Sequence, residues 1–347
     1  MAGFRTSAFP QKRTDLPDEK LSVAVRGGKV KPVIGSLRRN VRILIPKGVR
    51  GALKHLQLSI LALPAFLLIF IFSYIPMSGI FIAFKNINFV DGIFHSPWAG
   101  FDNFKFFFTS DDAWLVVRNT LLYNVVFIVV GTIIAVLFAV LLNEVLSVRL
   151  LKFYQTVFFF PYFFSWVIVA FMAYSFIGPY GIVTTFLEKQ IHTSFDFYTT
   201  TWVWPILLTL INIWKGVGYV SIIFYAGIMG ISQEYFEAAA IDGATKFQMI
   251  RKITIPLLMP LISIMTLLSV GKIFYSDFGL FYFVPREVGQ LYPVTQVIDT
   301  YVYRALKVSG DIGMSAAVGL FQSVMGFIVV LASNYIAGKV DEENKIF

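Results

Sequence analysis

The sequence predicts an all-α, polytopic integral membrane protein with six transmembrane helices. Three observations carry that expectation. Apolar residues make up 57% of the 347-residue chain and charged residues 14%, with a mean hydropathy of +0.73. That balance departs from soluble domains in the direction of a bilayer. Six apolar runs reach the roughly 20 residues that cross the hydrocarbon region. They lie near 58–84, 115–142, 153–177, 203–230, 253–275 and 312–337. Finally, the net charge of +9 is concentrated at one end: residues 1–57 hold 13 Lys/Arg against 3 Asp/Glu. A basic flank ahead of a long apolar run marks the cytoplasmic side better than it marks a nucleic-acid arm.

The elements follow in chain order. Residues 1–33 mix Pro, Gly and charge and read as disordered. Residues 34–57 alternate basic and apolar side chains and suit a segment lying on the inner membrane surface. The first run begins too late, and is too long, for a signal peptide. Domain 58–340 then holds the six spans, and 341–347 is a short tail. With both termini inside, the inner segments carry 20 Lys/Arg and the outer ones 6, the asymmetry expected of a cytoplasmic face. The loop after the fifth run, 276–311, is long and aromatic, and reads chiefly as an outer interfacial belt. There is no cysteine, and the three histidines stand apart at 55, 95 and 192. A disulfide framework, a thiol nucleophile and a zinc cluster are therefore not expected.

Between the fourth and fifth runs lies a polar segment, 231–256, containing EAAAIDGATKFQMIRKITIP. Ser232 suits a helix N-cap, with Glu234 and Glu237 in the first turns, where the helix dipole favours acid. Gly243 suits a left-handed helix end. Thr245 and Gln248 have the spacing of a capping box for a second helix. The segment therefore reads as two short helices around a glycine bend, exposing small residues and a carboxylate.

That pattern resembles the signature loop of permease subunits in binding-protein-dependent ABC importers. Glu237, Ala238, Ala239, Gly243, Ile253 and Pro256 match it, and Ile255 stands where leucine is more usual. Asp242 before Gly243 is similar to the carbohydrate branch. SPWAGFDNF (96–104), NTL (119–121), LLNE (141–144), QTVFFFPYFFSWVIV (155–169), NIWKGVGY (212–219) and VIDTYVYRAL (297–306) resemble permeases for lipo-oligosaccharide, aldouronate and other polysaccharide-derived oligosaccharides. The resemblance covers residues 56 to about 340 and implies a type I ABC importer transmembrane domain. It also implies partners: a second, different permease, two ABC ATPase subunits and an extracytoplasmic solute-binding protein. In such permeases the loop docks on an ATPase. Glu237 would make that contact, Ala238 and Ala239 would allow close approach, Asp242 would adjoin the bend, and Gly243 would set it. The chain has no G-x-x-x-x-G-K-[ST] phosphate loop. It is therefore a transport subunit rather than an enzyme, has no cofactor of its own, and leaves ATP and Mg to the partner ATPase. Its expected place is a bacterial plasma or inner membrane.

Charges inside spans are costly and point to function. Arg118 and Lys272 lie near outer ends, where a long side chain can snorkel. Lys215 is twelve residues into its run, roughly 18 Å at helical rise. Asn212, Lys215 and Tyr219 share one face by helical spacing. With Tyr123, Asn124 and Tyr275 they offer planar polar groups and aromatic rings for sugars. Interhelical packing is the plainer role for the same residues. Lys215 further suits an acidic sugar such as a uronate. Another small solute, such as a glycerol phosphate, fits the same chemistry. A gradient-driven secondary transporter would instead favour mid-span carboxylates, and none of the six runs contains Asp or Glu. A membrane enzyme would need converging catalytic groups, which the scattered histidines do not supply.

Overall fold

The computed structural model describes residues 56–88, 90–192 and 195–340. The features expected over 1–55 and 341–347 lie outside them. Helices are the secondary structure of the described residues, apart from turns, loops and one isolated antiparallel bridge, Lys85 to Trp98. Six stretches are long and apolar enough to cross a membrane: Ile60–Phe84, Asp111–Asn143, Trp166–Gln190, Thr201–Met229, Lys246–Val270 and Ile312–Tyr335.

Two of the spans carry a π turn directly ahead of an Ile-Pro step. Phe70–Tyr74 precedes Pro76, and Ile250–Thr254 precedes Pro256. Proline has no N–H, and its ring crowds the carbonyl of the preceding turn. The wider turn relieves that crowding. The N–H of Ile75 and that of Ile255 reach back to the carbonyls of Phe70 and Ile250. The fifth span thus begins at Lys246 as one rod through Val270, rather than near 253.

The third crossing differs most from expectation. The apolar run 153–177 is two helices, Val148–Phe159 and Trp166–Ile177, joined by the tight turn Phe160–Phe163. Pro161 withholds a donor, and Ser165 starts the second helix by accepting a hydrogen bond from the Ile168 N–H at 3.4 Å. Length and composition alone would extend this span to Gln190, but the chain turns at Gly178–Gly181 before the helix Ile182–Ile191. The crossing is therefore the broken pair.

The second and fourth spans pack along their length. Ala135 and Ala139 are fully buried against Val217, Phe224 and Ile228. Small residues let helices approach where lipid offers no hydrophobic drive. Gly218 serves the same end, because a Cβ there would strike the Phe158 carbonyl.

The aromatic segment 276–311 is folded into the protein through its aliphatic residues, while its rings, Phe281 apart, stay half-buried. Leu280, Val284, Leu291, Val297 and Ile298 are fully buried, and Phe281 nearly so. The second span binds its backbone. Asn119 Nδ2 donates to the carbonyls of Pro293 and Gln296 at 3.1 and 3.0 Å. Thr120 Oγ1 accepts from the Ile298 N–H at 3.0 Å. Irregular backbone at or near the membrane is tolerated when protein groups satisfy it, and those two side chains do so. On the same face, Trp204 Nε1 donates to the Phe197 carbonyl at 2.7 Å. Burial pushes the neighbouring Tyr198 hydroxyl up to about 12. On the opposite face, Lys246 pairs with Glu144, tying the turn after the second span to the start of the fifth.

Candidate functional site

Two regions carry the candidate chemistry. The first is the polar segment between the fourth and fifth spans. Ser232 Oγ accepts from the Glu234 N–H and starts the helix Gln233–Ile241. Gly243 ends it with φ +75°. The Ala244 N–H reaches the Ala239 carbonyl at 2.9 Å, and the Gly243 N–H reaches Ala240 at 3.1 Å. Those two bonds form a Schellman closure. Thr245 and Gln248 then make the reciprocal capping box that opens the fifth span. Glu237, Ala238, Asp242 and Gly243 are exposed and Ala239 is half-buried. Ile241 and Phe247 stand 87% and 71% exposed on either side of the bend. This is a preformed projection with apolar tips, the kind of surface a partner covers.

The second region surrounds the fourth span. A cavity of about 350 Å³ opens between the second, fourth and fifth spans. Asn124, Asn212, Tyr275, Lys272 and Asp277 supply its polar wall, and Gly131 and Gly216 keep it open. Asn124 Nδ2 is committed to the carbonyls of Ile273 and Tyr275 at 2.9 and 3.1 Å. The Tyr275 hydroxyl and Ser323 Oγ lie 2.9 Å apart.

Lys215 and Tyr219 turn away from that cavity, towards the broken third crossing. The Lys215 ammonium donates to the Tyr162 carbonyl at 2.8 Å. It also lies 5.4 and 5.1 Å from the Tyr162 and Trp166 ring centres. Tyr219 stacks on Tyr162 with centroids 4.7 Å apart. Breaking a helix inside a membrane frees carbonyls that need donors. Lys215 satisfies one of them, which gives a structural reason for a cation at that depth. Trp166 Nε1 donates in turn to Asp277 Oδ2 at 2.7 Å. The start of the helix Trp166–Ile177, the electropositive end of its dipole, lies beside this cation.

Tyr123 does not belong with the sugar-facing residues expected from the sequence. It is buried in the core, and its hydroxyl donates to the Val294 carbonyl at 2.7 Å. Its work is to hold the 276–311 segment. Of the expected six, Asn124, Asn212 and Tyr275 meet at the cavity, and Lys215 and Tyr219 meet at Tyr162. Tyr162, Trp166 and Asp277 were missed. A proline followed four residues later by a capping serine was the sequence signal for the first two.

The comparison with known proteins joins these regions to a family. The binding-protein-dependent transport system inner membrane component matches residues 127–342. The chain belongs to this family. It is a membrane permease subunit with the type I ABC importer fold, in which the expected topology of six crossings holds. It is 33% identical over 288 residues to protein LplB of Bacillus subtilis strain 168, covering 82% of this chain and 90% of that protein. The polygalacturonan/rhamnogalacturonan transport system permease YteP of the same strain is 31% identical, covering 84% and 89%. The crystal structure of a bacterial ABC transporter that imports the acidic polysaccharide alginate contains a chain of the same fold, with a TM-score of 0.76 and 30% identity. That match covers 84% of this permease and 99% of that chain. A second structure of a bacterial alginate transporter, in complex with a periplasmic protein carrying an alginate pentasaccharide, matches with a TM-score of 0.75.

Proposed function

We propose that this permease carries acidic, polysaccharide-derived oligosaccharides inward through a path that includes the cavity between the second, fourth and fifth spans. The observation that carries this reading is the wall chemistry. Asn212 and Lys272 make no side-chain hydrogen bond to other described residues, and Lys215, turned away from the cavity, is linked to its wall through Trp166 and Asp277. Neutral amides bind hydroxyls, and ammonium groups bind a carboxylate by charge-assisted hydrogen bonds. Asp277 tempers the positive field without cancelling two lysines. The cavity volume is in the range of small-ligand sites. Relatives named for polygalacturonan and alginate support the same class.

In this reading the N- and C-termini are cytoplasmic, as is the 231–256 segment. That segment engages one of two ATPase subunits, with Glu237 at the contact, and Ile241 and Phe247 are covered there. A second, different permease completes the path. An extracytoplasmic binding protein delivers the solute on the face that carries 276–311. ATP and Mg are used in the ATPases alone.

Uptake by the complete importer tests the proposal, with Lys215→Ala as the variant. Uronate oligosaccharide uptake is expected to fall about tenfold or more, the scale of losing a charge-assisted contact together with a backbone donor. Membrane accumulation, followed by immunoblot, should persist. Unchanged uptake kinetics would remove Lys215 from the path. Import of glycerol phosphate in place of any uronate would overturn the substrate class.

A further inference from the structure

Outside the cavity, one corner of the 276–311 segment has no assigned role. The helix Phe278–Phe283 buries Leu280 and Phe281 but leaves Phe278 and Tyr282 half-buried on its other face. Those two rings stack with centroids 4.8 Å apart and planes at 19°. Tyr303, from the helix Ile298–Arg304, meets both edge-on, at 4.9 and 5.1 Å. Three rings from two helices thus form one open corner. The ammonium of Lys307 lies 5.3 Å from the Tyr303 ring centre. Lys307 is fully exposed and has no ion pair among the described residues. The Tyr303 hydroxyl beside it holds it above the ordinary lysine value, so it is cationic wherever the protein works. Glu287 is the acidic group facing Tyr282.

The corner is joined to the path. Asp277, which caps the helix Phe278–Phe283, accepts from Trp166. Trp166 packs close against Gly279, and the Lys215 ammonium lies over the Trp166 ring. Beyond Lys215 come Tyr162 and Tyr219, stacked. Aromatic faces therefore recur from Tyr303 to Tyr219, with Lys307 at the outer end and Lys215 between Trp166 and Tyr162.

We propose that Phe278, Tyr282, Tyr303 and Lys307 form an outer subsite for one acidic sugar unit, and that a longer chain occupies it while its leading units reach Lys215. The proposal rests on the oligosaccharide reading above and adds a length requirement to it. A ring of a pyranose presents C–H groups on its faces, which pack on aromatic planes. Its hydroxyls suit the two phenols, and its carboxylate suits the ammonium. An apolar body with few polar groups is the usual composition of such a site. A corner built only for packing would bury its rings as its neighbours Leu280 and Phe281 are buried, and would not end in an exposed cation held by two phenols.

The test measures uptake by the complete importer of di- and pentasaccharides of galacturonate and of alginate. The variants are Tyr282→Leu with Tyr303→Leu, Tyr282→Phe with Tyr303→Phe, and Lys307→Gln. For the double leucine variant, the ratio of half-saturating concentrations, pentasaccharide to disaccharide, should rise about fivefold over wild type, the scale of losing one aromatic contact. The double phenylalanine variant keeps the rings, so its ratio should stay nearer to wild type. Lys307→Gln should raise the ratio as well. Taking a ratio within each variant cancels differences in folded protein. An unaltered ratio in both the leucine and glutamine variants overturns the subsite while leaving the path intact. Equal weakening for both lengths, as lipid contact or simple packing would give, also overturns it. If wild type imports none of the four probes, the acidic-oligosaccharide reading itself falls, and the subsite with it.

Discussion

Gly218 concentrates the problem of mid-membrane packing in one missing carbon. The fourth span meets the Phe158 carbonyl there, and no side chain fits between them. Gly218→Ala should therefore force the helices apart, costing about 1–3 kcal/mol as overpacking does. A lower melting temperature in detergent and less protein in the membrane would show it, and an unchanged melt would contradict the contact. Asp299 poses a question of charge. Burial raises its carboxyl above the usual range, against hydrogen bonds from the Ser276 N–H at 2.7 Å and from Gln322. An acid raised in this way binds more protons folded than unfolded. Stability then falls as pH climbs from the ordinary carboxylate range through the raised value, and the loss is complete above it. Asp299→Asn removes the titration while keeping an acceptor for Ser276. Melting temperatures across a pH series should form a flatter curve for the variant. An identical slope would assign the pH dependence to other groups.

Helix ends decide the elements. The capping box at Thr245 and Gln248 opens a rod that runs through a π turn into the fifth span. Thr245→Ala should cost about 1 kcal/mol at that end. Amide exchange at residues 246–249 should quicken several-fold, and Thr245→Ser should restore most of the protection. Unaltered exchange in the alanine variant would show that the box does not hold the end. This cap, the Ser232 cap and the glycine bend were legible in the sequence because each obeys a rule spanning four or five residues. The third crossing was legible only as an apolar run. Pro161 and Ser165 both signal a break, yet a hydropathy pattern cannot see that Lys215, more than fifty residues away, satisfies the carbonyl the break exposes. The packing of the 276–311 segment was not legible for a related reason. Its aromatic composition suits a membrane interface, and its burial depends on Asn119 and Thr120 of another span. Tyr123 was misplaced, since a tyrosine near polar neighbours looks the same whether its hydroxyl faces a sugar or the Val294 carbonyl.

Across the whole molecule, the two faces differ in kind. One holds the folded 276–311 segment and the open ring corner. The other holds the Glu144–Lys246 pair and the projecting 231–250 segment. The fifth span joins them as a rod from Lys246 to Val270, and Lys272 and Tyr275 of the cavity wall follow within five residues of its end. On the proposed coupling, a push on the projection would pass along this rod to the cavity, with the π turn as the compliant point. Charge reversal at Glu237 tests that route without disturbing the fold, because an exposed helix position usually changes stability by no more than about 0.5 kcal/mol. Glu237→Lys should leave the permease in the membrane at normal abundance. Uptake should fall by about tenfold or more, with either the ATPase subunits lost from the purified complex or their hydrolysis no longer stimulated by loaded binding protein. Those two results separate a docking defect from a transmission defect. If the subunits stay bound and hydrolysis is still stimulated while uptake falls, the defect lies between the projection and the cavity. Pro256 beside the π turn then becomes the residue to vary. Normal transport by Glu237→Lys would remove the projection from the coupling route.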